Sequence, residues 1–137
     1  MKTVFIDTNI IIRFLTKDDP EKQRACYDLF KQAQENKIIL TTSESVIAES
    51  VFVLASKKHY HLPPEEIKSR LLPILSLRGL KLAHRKMLFR ALDLYAFLAI
   101  DFEDCLSIAH MERQKLEEIY SYDQDFDRVA SLKRIEP

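Results

Sequence analysis

Four acidic residues stand where a solvated surface accounts for them poorly. Asp7 ends the apolar run Val4-Phe5-Ile6, and Glu49 interrupts the apolar pattern Val46, Ile47, Val51, Leu54. Asp104 lies in the first turn of a helix that Asp101 opens, and Asp123 follows the short run Glu118-Ile119-Tyr120. Carboxylates brought together repel one another and hold their protons more tightly unless cations neutralise them, so acids at one locus are a candidate site for hard divalent ions. Mg²⁺ or Mn²⁺ suits such a site, because both accept carboxylate and water oxygens and no His/Cys set with zinc spacing is present. Each acid also has a plainer reading: Asp7 as a helix cap, Glu49 as a surface residue, Asp101 and Asp104 as helix-start acids favoured by the dipole, and Asp123 as a turn former. Their joint occurrence after successive strand-to-helix transitions raises the metal reading above the plain ones.

Several elements must position these acids. Val4 to Ile6 reads as a strand buried on both faces, followed by a short helix from a Thr8/Asn9 cap to Leu15. Asp19 with Pro20 starts a second helix, whose buried face is Ala25, Cys26, Leu29, Phe30 and Ala33 and which ends near Glu35-Asn36. Lys37 to Leu40 is the second strand. A third helix runs from a Ser43 or Thr42 cap to about Lys58, with Glu49 and Ser50 as polar insertions. Pro63-Pro64 opens a helix that turns Ile67, Leu71, Leu72 and Leu75 inward, and Arg78-Gly79 turns into a brief strand at Leu80 to Leu82. Helices follow over 84–98 and from Asp101 to about Gln114, then a strand at Glu118 to Tyr120, with a closing helix turn and tail from Val129 to Pro137. This alternation predicts an α/β fold, a three-layer α/β/α sandwich with a mainly parallel central sheet, in which strand carboxyl ends and following helix starts share one edge. On that edge Asp7, Asp104 and Asp123 can converge, and Glu49 needs its longer side chain to reach them.

The chain's 137 residues, 47% of them apolar, are read as a single domain spanning 1–137. Lys plus Arg balances Asp plus Glu at 21 each, but residues 57–90 hold nine Lys/Arg against two Glu, whereas 91–137 hold five against eleven acids. A basic centre beside an acidic end suits a phosphate-facing surface next to a metal-binding one, with Lys57, Lys58, Arg85, Lys86 and Arg90 as its cations; solvated helix faces are the alternative. Cys26 and Cys105 sit in apolar helical patterns and read as buried thiols. With a single glycine, Gly79, the chain has no Gly-rich phosphate loop of either usual kind. No apolar stretch reaches transmembrane length and Asp7 interrupts the start too early for a signal peptide, so a cytoplasmic protein with no membrane association is expected.

The ordered motifs resemble a known family. Asp7-Thr8-Asn9-Ile10, Glu49 within Ser45-Val-Ile-Ala-Glu49-Ser-Val, Asp101-Phe-Glu-Asp104-Cys-Leu-Ser-Ile-Ala109 and Ser121-Tyr-Asp123-Gln-Asp125-Phe126 are similar to the four motifs of PIN-domain ribonucleases, and most similar to VapC toxins of toxin–antitoxin pairs. The resemblance spans nearly the whole chain. It implies a Mg²⁺- or Mn²⁺-dependent endoribonuclease whose acids are Asp7, Glu49, Asp104 and Asp123, with Asp125 auxiliary. Asp7 and Asp104 are the direct ligands in that reading, and Thr8, Asn9 and Ser121 support them. Ser121 stands where the family usually has Thr, which keeps the hydroxyl. The resemblance also implies an RNA substrate, a cognate antitoxin, and a homodimer or toxin–antitoxin hetero-oligomer.

Other classes fit less well. A signalling receiver domain needs a phosphoacceptor Asp after a middle strand, and no Asp lies between Asp28 and Asp93. A phosphatase of the Asp-x-Asp type is excluded at its second acid, where Asn9 stands. His59, His61 and His84 fall in no recognisable acid–base motif. The remaining alternatives keep the fold: an RNA-processing PIN nuclease that is not a toxin, or a noncatalytic protein-binding PIN domain.

Overall fold

The computed structural model describes residues 1–137 and confirms the α/β class. By contact density the chain divides into two compact units, Met1–Arg85 and Lys86–Pro137.

The first unit holds a three-stranded, wholly parallel sheet of β1 (Thr3–Phe5), β2 (Ile39–Thr41) and β3 (Leu80–Lys81), in the order β1-β2-β3. Parallel neighbours require crossovers, and helices supply them: α1 (Thr8–Leu15) and α2 (Pro20–Gln34) between the first pair, α3 (Glu44–Ala55) and α4 (Pro64–Leu75) between the second. Asp19 caps α2 by accepting from the Lys22 amide at 3.1 Å, and Ser43 caps α3 by accepting from that of Val46 at 3.2 Å, as the sequence predicts. The core of this unit is built from fully buried Ile11, Leu40, Ile47, Leu54, Ile67, Leu71 and Leu75. A polar clasp ties the α1–α2 turn to the loop after α3: Asp18 accepts from Tyr60 and from Thr16, each at 2.9 Å.

The second unit contains α5 (Arg85–Leu98) from its second residue on, α6 (Phe102–Gln114), and a parallel pair of strands, β4 (Glu118–Tyr120) and β5 (Lys133–Ile135), joined by a short 3₁₀ helix at Gln124–Arg128. Tyr95 and Phe102 meet edge-to-face at 5.7 Å between ring centres, and Leu88, Leu92, Cys105 and Ile108 are fully buried. Both cysteines are free and buried, and burial pushes the Cys105 thiol up to about 12. No helix is long and apolar enough to cross a membrane.

Several expectations are corrected. β1 is not buried on both faces: it is an edge strand of its sheet, with β2 as its one partner there, and Phe5 is 56% exposed. The cap of α1 is Asp7, not Thr8 or Asn9. α3 stops at Ala55, three residues early, and Ser50 is fully buried, its hydroxyl satisfied by donating to the Val46 carbonyl at 2.8 Å. The tail contains a strand, β5, because Lys133 to Ile135 finds a ladder partner in β4 that local pattern does not announce.

The scarcity of glycine leaves a mark. Left-handed backbone is carried by Asn36, His61, His84, Ala99 and Lys115. After α6, Lys115 (φ 59°) occupies the position that glycine usually takes, with the Leu116 amide donating to the Met111 carbonyl and the Lys115 amide to that of Glu112. Gly79 itself is needed for close approach: a Cβ there would lie 2.8 Å from the Ala33 Cβ and still closer to the Ala33 carbonyl oxygen. Gly79→Ala is therefore expected to destabilise by about 2 kcal/mol or more through overpacking against α2. Lys115→Gly is expected to stabilise by about 0.5–1 kcal/mol by relieving left-handed strain. Both are read from urea midpoints at unchanged denaturant slope.

Candidate metal centre

Asp104 is placed by the first turn of α6. Asp101 precedes that helix at its N-cap position without a side-chain capping bond, and Glu103 and Asp104 follow where the helix dipole favours negative charge. Asp123 is placed by the turn after β4. The Ser121 hydroxyl accepts from the Asp123 amide at 3.0 Å, and Asp123 Oδ1 accepts from the Asp125 amide at 2.9 Å, capping the 3₁₀ helix. These local bonds bring Asp104, Asp123 and Asp125 into one group in which each offers an oxygen within 4.8 Å of the others.

The electrostatic consequence falls on Asp104. Asp104 and Asp125 are half-buried and Asp123 is exposed, and the carboxyl pKa of Asp104 is raised: burial is the first cause, followed by the negative charges of Asp123, Asp101, Asp125 and Glu103. All three acids offer hard oxygen donors, and neither histidine nor cysteine belongs to the group. That donor set fits Mg²⁺ or Mn²⁺ and does not fit zinc.

Asp7 and Glu49 are carried by the first unit. Asp7 is exposed at the carboxyl end of β1, and its Oδ1 accepts from the Asn9 amide at 3.0 Å. The capping role set against a ligand role is therefore present, and it engages Oδ1 while Oδ2 is available to a second partner. Glu49 is exposed on α3, one residue from buried Ser50. Among the expected cations, Arg90 is held by Glu112 through two bonds of 2.8 and 3.0 Å, and Arg85 donates to the Leu80 carbonyl. Lys57, Lys58 and Lys86 are exposed.

Arg134 is a supporting residue that no motif of the sequence marks. From β5 its guanidinium donates to the Ser121 carbonyl at 3.1 Å, to Asp127 at 3.0 Å and to Glu136 at 2.8 Å, so it pins the turn that presents Asp123. The only signal in the sequence is an arginine near Asp127 and Glu136, which surface ion pairs produce as readily.

The PIN domain pattern matches residues 4–132. The chain belongs to the PIN domain family. Among solved structures, similar chains occur in VapBC2 from Rickettsia felis bound to a DNA fragment from its promoter and in the sarcin-ricin loop cleaving toxin VapC20 from Mycobacterium tuberculosis. The first is 22% identical over 99% of this chain and 98% of its own, with a TM-score of 0.40. The second is 16% identical over 98% and 99%, with a TM-score of 0.37. At those scores neither likeness adds to what the family match decides. No curated protein matches the chain. PIN domains are typically nucleases that use divalent metals, and the acidic group of this PIN domain has the ligand chemistry that such ions require.

The raised pKa of Asp104, caused first by burial and then by its acidic neighbours, has a measurable sign. A carboxyl whose folded pKa lies above its unfolded value contributes most to stability below the unfolded pKa, and that contribution is lost as pH rises through the folded pKa. At neutral pH the ionised group is a cost. In EDTA, Asp104→Asn is expected to unfold about 1–3 °C above the wild type, a change of about 0.5 kcal/mol. Added Mg²⁺ should raise the wild-type midpoint and leave that of the variant almost unmoved.

Proposed function

We propose that this PIN domain is a Mg²⁺- or Mn²⁺-dependent endoribonuclease and the toxin of a toxin–antitoxin pair. The observation that carries the nuclease reading is the group formed by Asp104, Asp123 and Asp125, in a chain whose family is typically nuclease. The toxin reading is supported by the ordered motifs around Asp7, Glu49, Asp104 and Asp123, which resemble those of VapC proteins. It brings with it a cognate antitoxin, assembly as a homodimer or toxin–antitoxin hetero-oligomer, and a cytoplasmic location.

In this reading Asp7 and Asp104 hold the ion directly, and Glu49 and Asp123 act through water, help hold a second ion or orient the nucleophile. A bound divalent ion supplies positive charge that lowers the pKa of water and offsets the charge developing on the phosphoryl oxygens. The chain's own residues do the rest. Asp123 is kept in place by the Ser121 hydroxyl on its amide and by Arg134 on the Ser121 carbonyl, so this carboxylate does not have to be ordered when substrate arrives. Asp125 adds a third carboxylate to the local charge. The amide of Asn9 fixes one oxygen of Asp7 and so limits how the other is aimed.

Incubating the protein with total cellular RNA and mapping the new ends tests both the chemistry and the target. Cleavage is expected in Mg²⁺ or Mn²⁺ and not in EDTA. Asp7→Asn and Asp104→Asn are each expected to lower the rate at least about 100-fold, as removing a few kcal/mol of charge stabilisation requires. Equal cleavage by Asp7→Asn and wild type would remove Asp7 from the site. Expression without the antitoxin should arrest growth; normal growth with soluble, active protein would favour the RNA-processing alternative.

A further inference from the structure

Two cavities of the first unit are lined at their charged positions by cations alone, one by Arg24 and Lys31 and the other, beside Asp7, by Arg13 and Lys22; the second is the groove considered for substrate. It lies between α1 and α2, encloses about 330 Å³, and is bounded by Asn9, Ile10, Arg13, Lys22, Ala25 and Cys26. That volume is at the small end of the roughly 300–1,000 Å³ of ligand clefts, enough for one small polar unit. Asn9 and Arg13 are four residues apart and so share one face of α1, with Lys22 supplied by the facing helix. Asn9 also ties the groove to the proposed catalytic acids, because its amide donates to Asp7 Oδ1 at 3.0 Å.

Both cations are only loosely engaged. Arg13 lies 3.6 Å from Asp18 and Lys22 lies 3.9 Å from Asp19, beyond the roughly 2.7–2.9 Å of a charge-assisted hydrogen bond. Neither acid depends on its cation. Asp18 accepts from Tyr60 and Thr16 at 2.9 Å each, and Asp19 caps α2 through the Lys22 amide at 3.1 Å. Arg90 differs, being committed to Glu112 through two short bonds. A polyanion can therefore recruit Arg13 and Lys22 without stripping a buried carboxylate of its partners.

We infer that the α1–α2 groove is a backbone-phosphate subsite for single-stranded RNA, in which Arg13 and Lys22 supply charge to a phosphate flanking the one cut and Asn9 marks the end nearest Asp7. This rests on the nuclease reading above and adds where the substrate strand runs. The subsite carries affinity rather than sequence choice, since phosphate contacts position a strand and base contacts specify it.

The test is anisotropy of a fluorescein-labelled 12-nucleotide oligouridylate in EDTA, which prevents metal-dependent cleavage, at several salt concentrations. The wild type is compared with Arg13→Gln/Lys22→Gln, with the charge-preserving Arg13→Lys/Lys22→Arg, and with Arg24→Gln, an exposed cation that does not line this groove; circular dichroism checks that each is folded. The neutral double variant is expected to bind about 10-fold more weakly at low salt. Its salt slope should fall by about 1.4, two charges at about 0.7 each, whereas the charge-preserving variant and Arg24→Gln keep most of the wild-type slope. Wild-type affinity and slope in the neutral variant would overturn the subsite and leave the nuclease reading standing. An equal loss in Arg24→Gln would overturn it in favour of a diffuse basic field. Retained RNA binding with lost binding of a glutamate-rich peptide would overturn it in favour of an acidic protein segment. A wild type that neither binds the oligonucleotide in EDTA nor cuts RNA in Mg²⁺ would overturn both readings.

Discussion

Three carboxylates held within 4.8 Å of one another are the constraint on which the second unit depends. Like charges at that separation resist being assembled, and the carboxyl pKa of Asp104 is raised first by burial and then by the charges of its acidic neighbours. The fold meets it with local bonds that do not neutralise charge. Asp123 is fixed through backbone amides and the Ser121 hydroxyl, and the one guanidinium at the turn, Arg134, faces the Ser121 carbonyl, Asp127 and Glu136. The negative charge of the group is thus kept rather than cancelled, which is the arrangement a cation site requires and a purely structural turn does not.

The same economy appears in the backbone. With one glycine in 137 residues, the chain places non-glycine residues at its left-handed positions and spends Gly79 where β3 begins against α2. Close packing against the Ala33 carbonyl cannot be met by another residue, whereas a left-handed turn can be met by Lys115 or Asn36 at a modest cost. Helix starts follow a parallel logic. Asp7 and Asp123 are both caps and candidate ligands, because an N-terminal cap engages one carboxylate oxygen and can leave the other open.

Cations are sorted by tertiary contacts rather than by local density. The run from Lys57 to Arg90 is the most basic stretch of the chain, yet Arg85 donates to a main-chain carbonyl and Arg90 is locked to Glu112 across 22 positions of sequence. Arg13 and Lys22, in a stretch of mixed charge, line a groove together. A count of charges along the sequence cannot separate these cases, because it does not register where each side chain finds its partner.

The sequence by itself determined the α/β class, the order of strands and helices from β1 to β4, the starts of α2 and α3, the limits of β4, and the family to which the motifs belong. Those properties rest on local physics: Pro20 after Asp19, a serine before an apolar stripe, and a β-branched run between polar turns. Only the tertiary structure decided that β1 is an edge strand in its sheet, that β5 exists, that Ser50 turns inward, that Asp104, Asp123 and Asp125 each bring an oxygen within 4.8 Å of the others, and that Arg134 anchors their turn. Each of these depends on a partner remote in sequence or on the curl of a turn. Spacing along a chain does not encode either, because burial, ladder pairing and charge proximity arise only when the elements are packed.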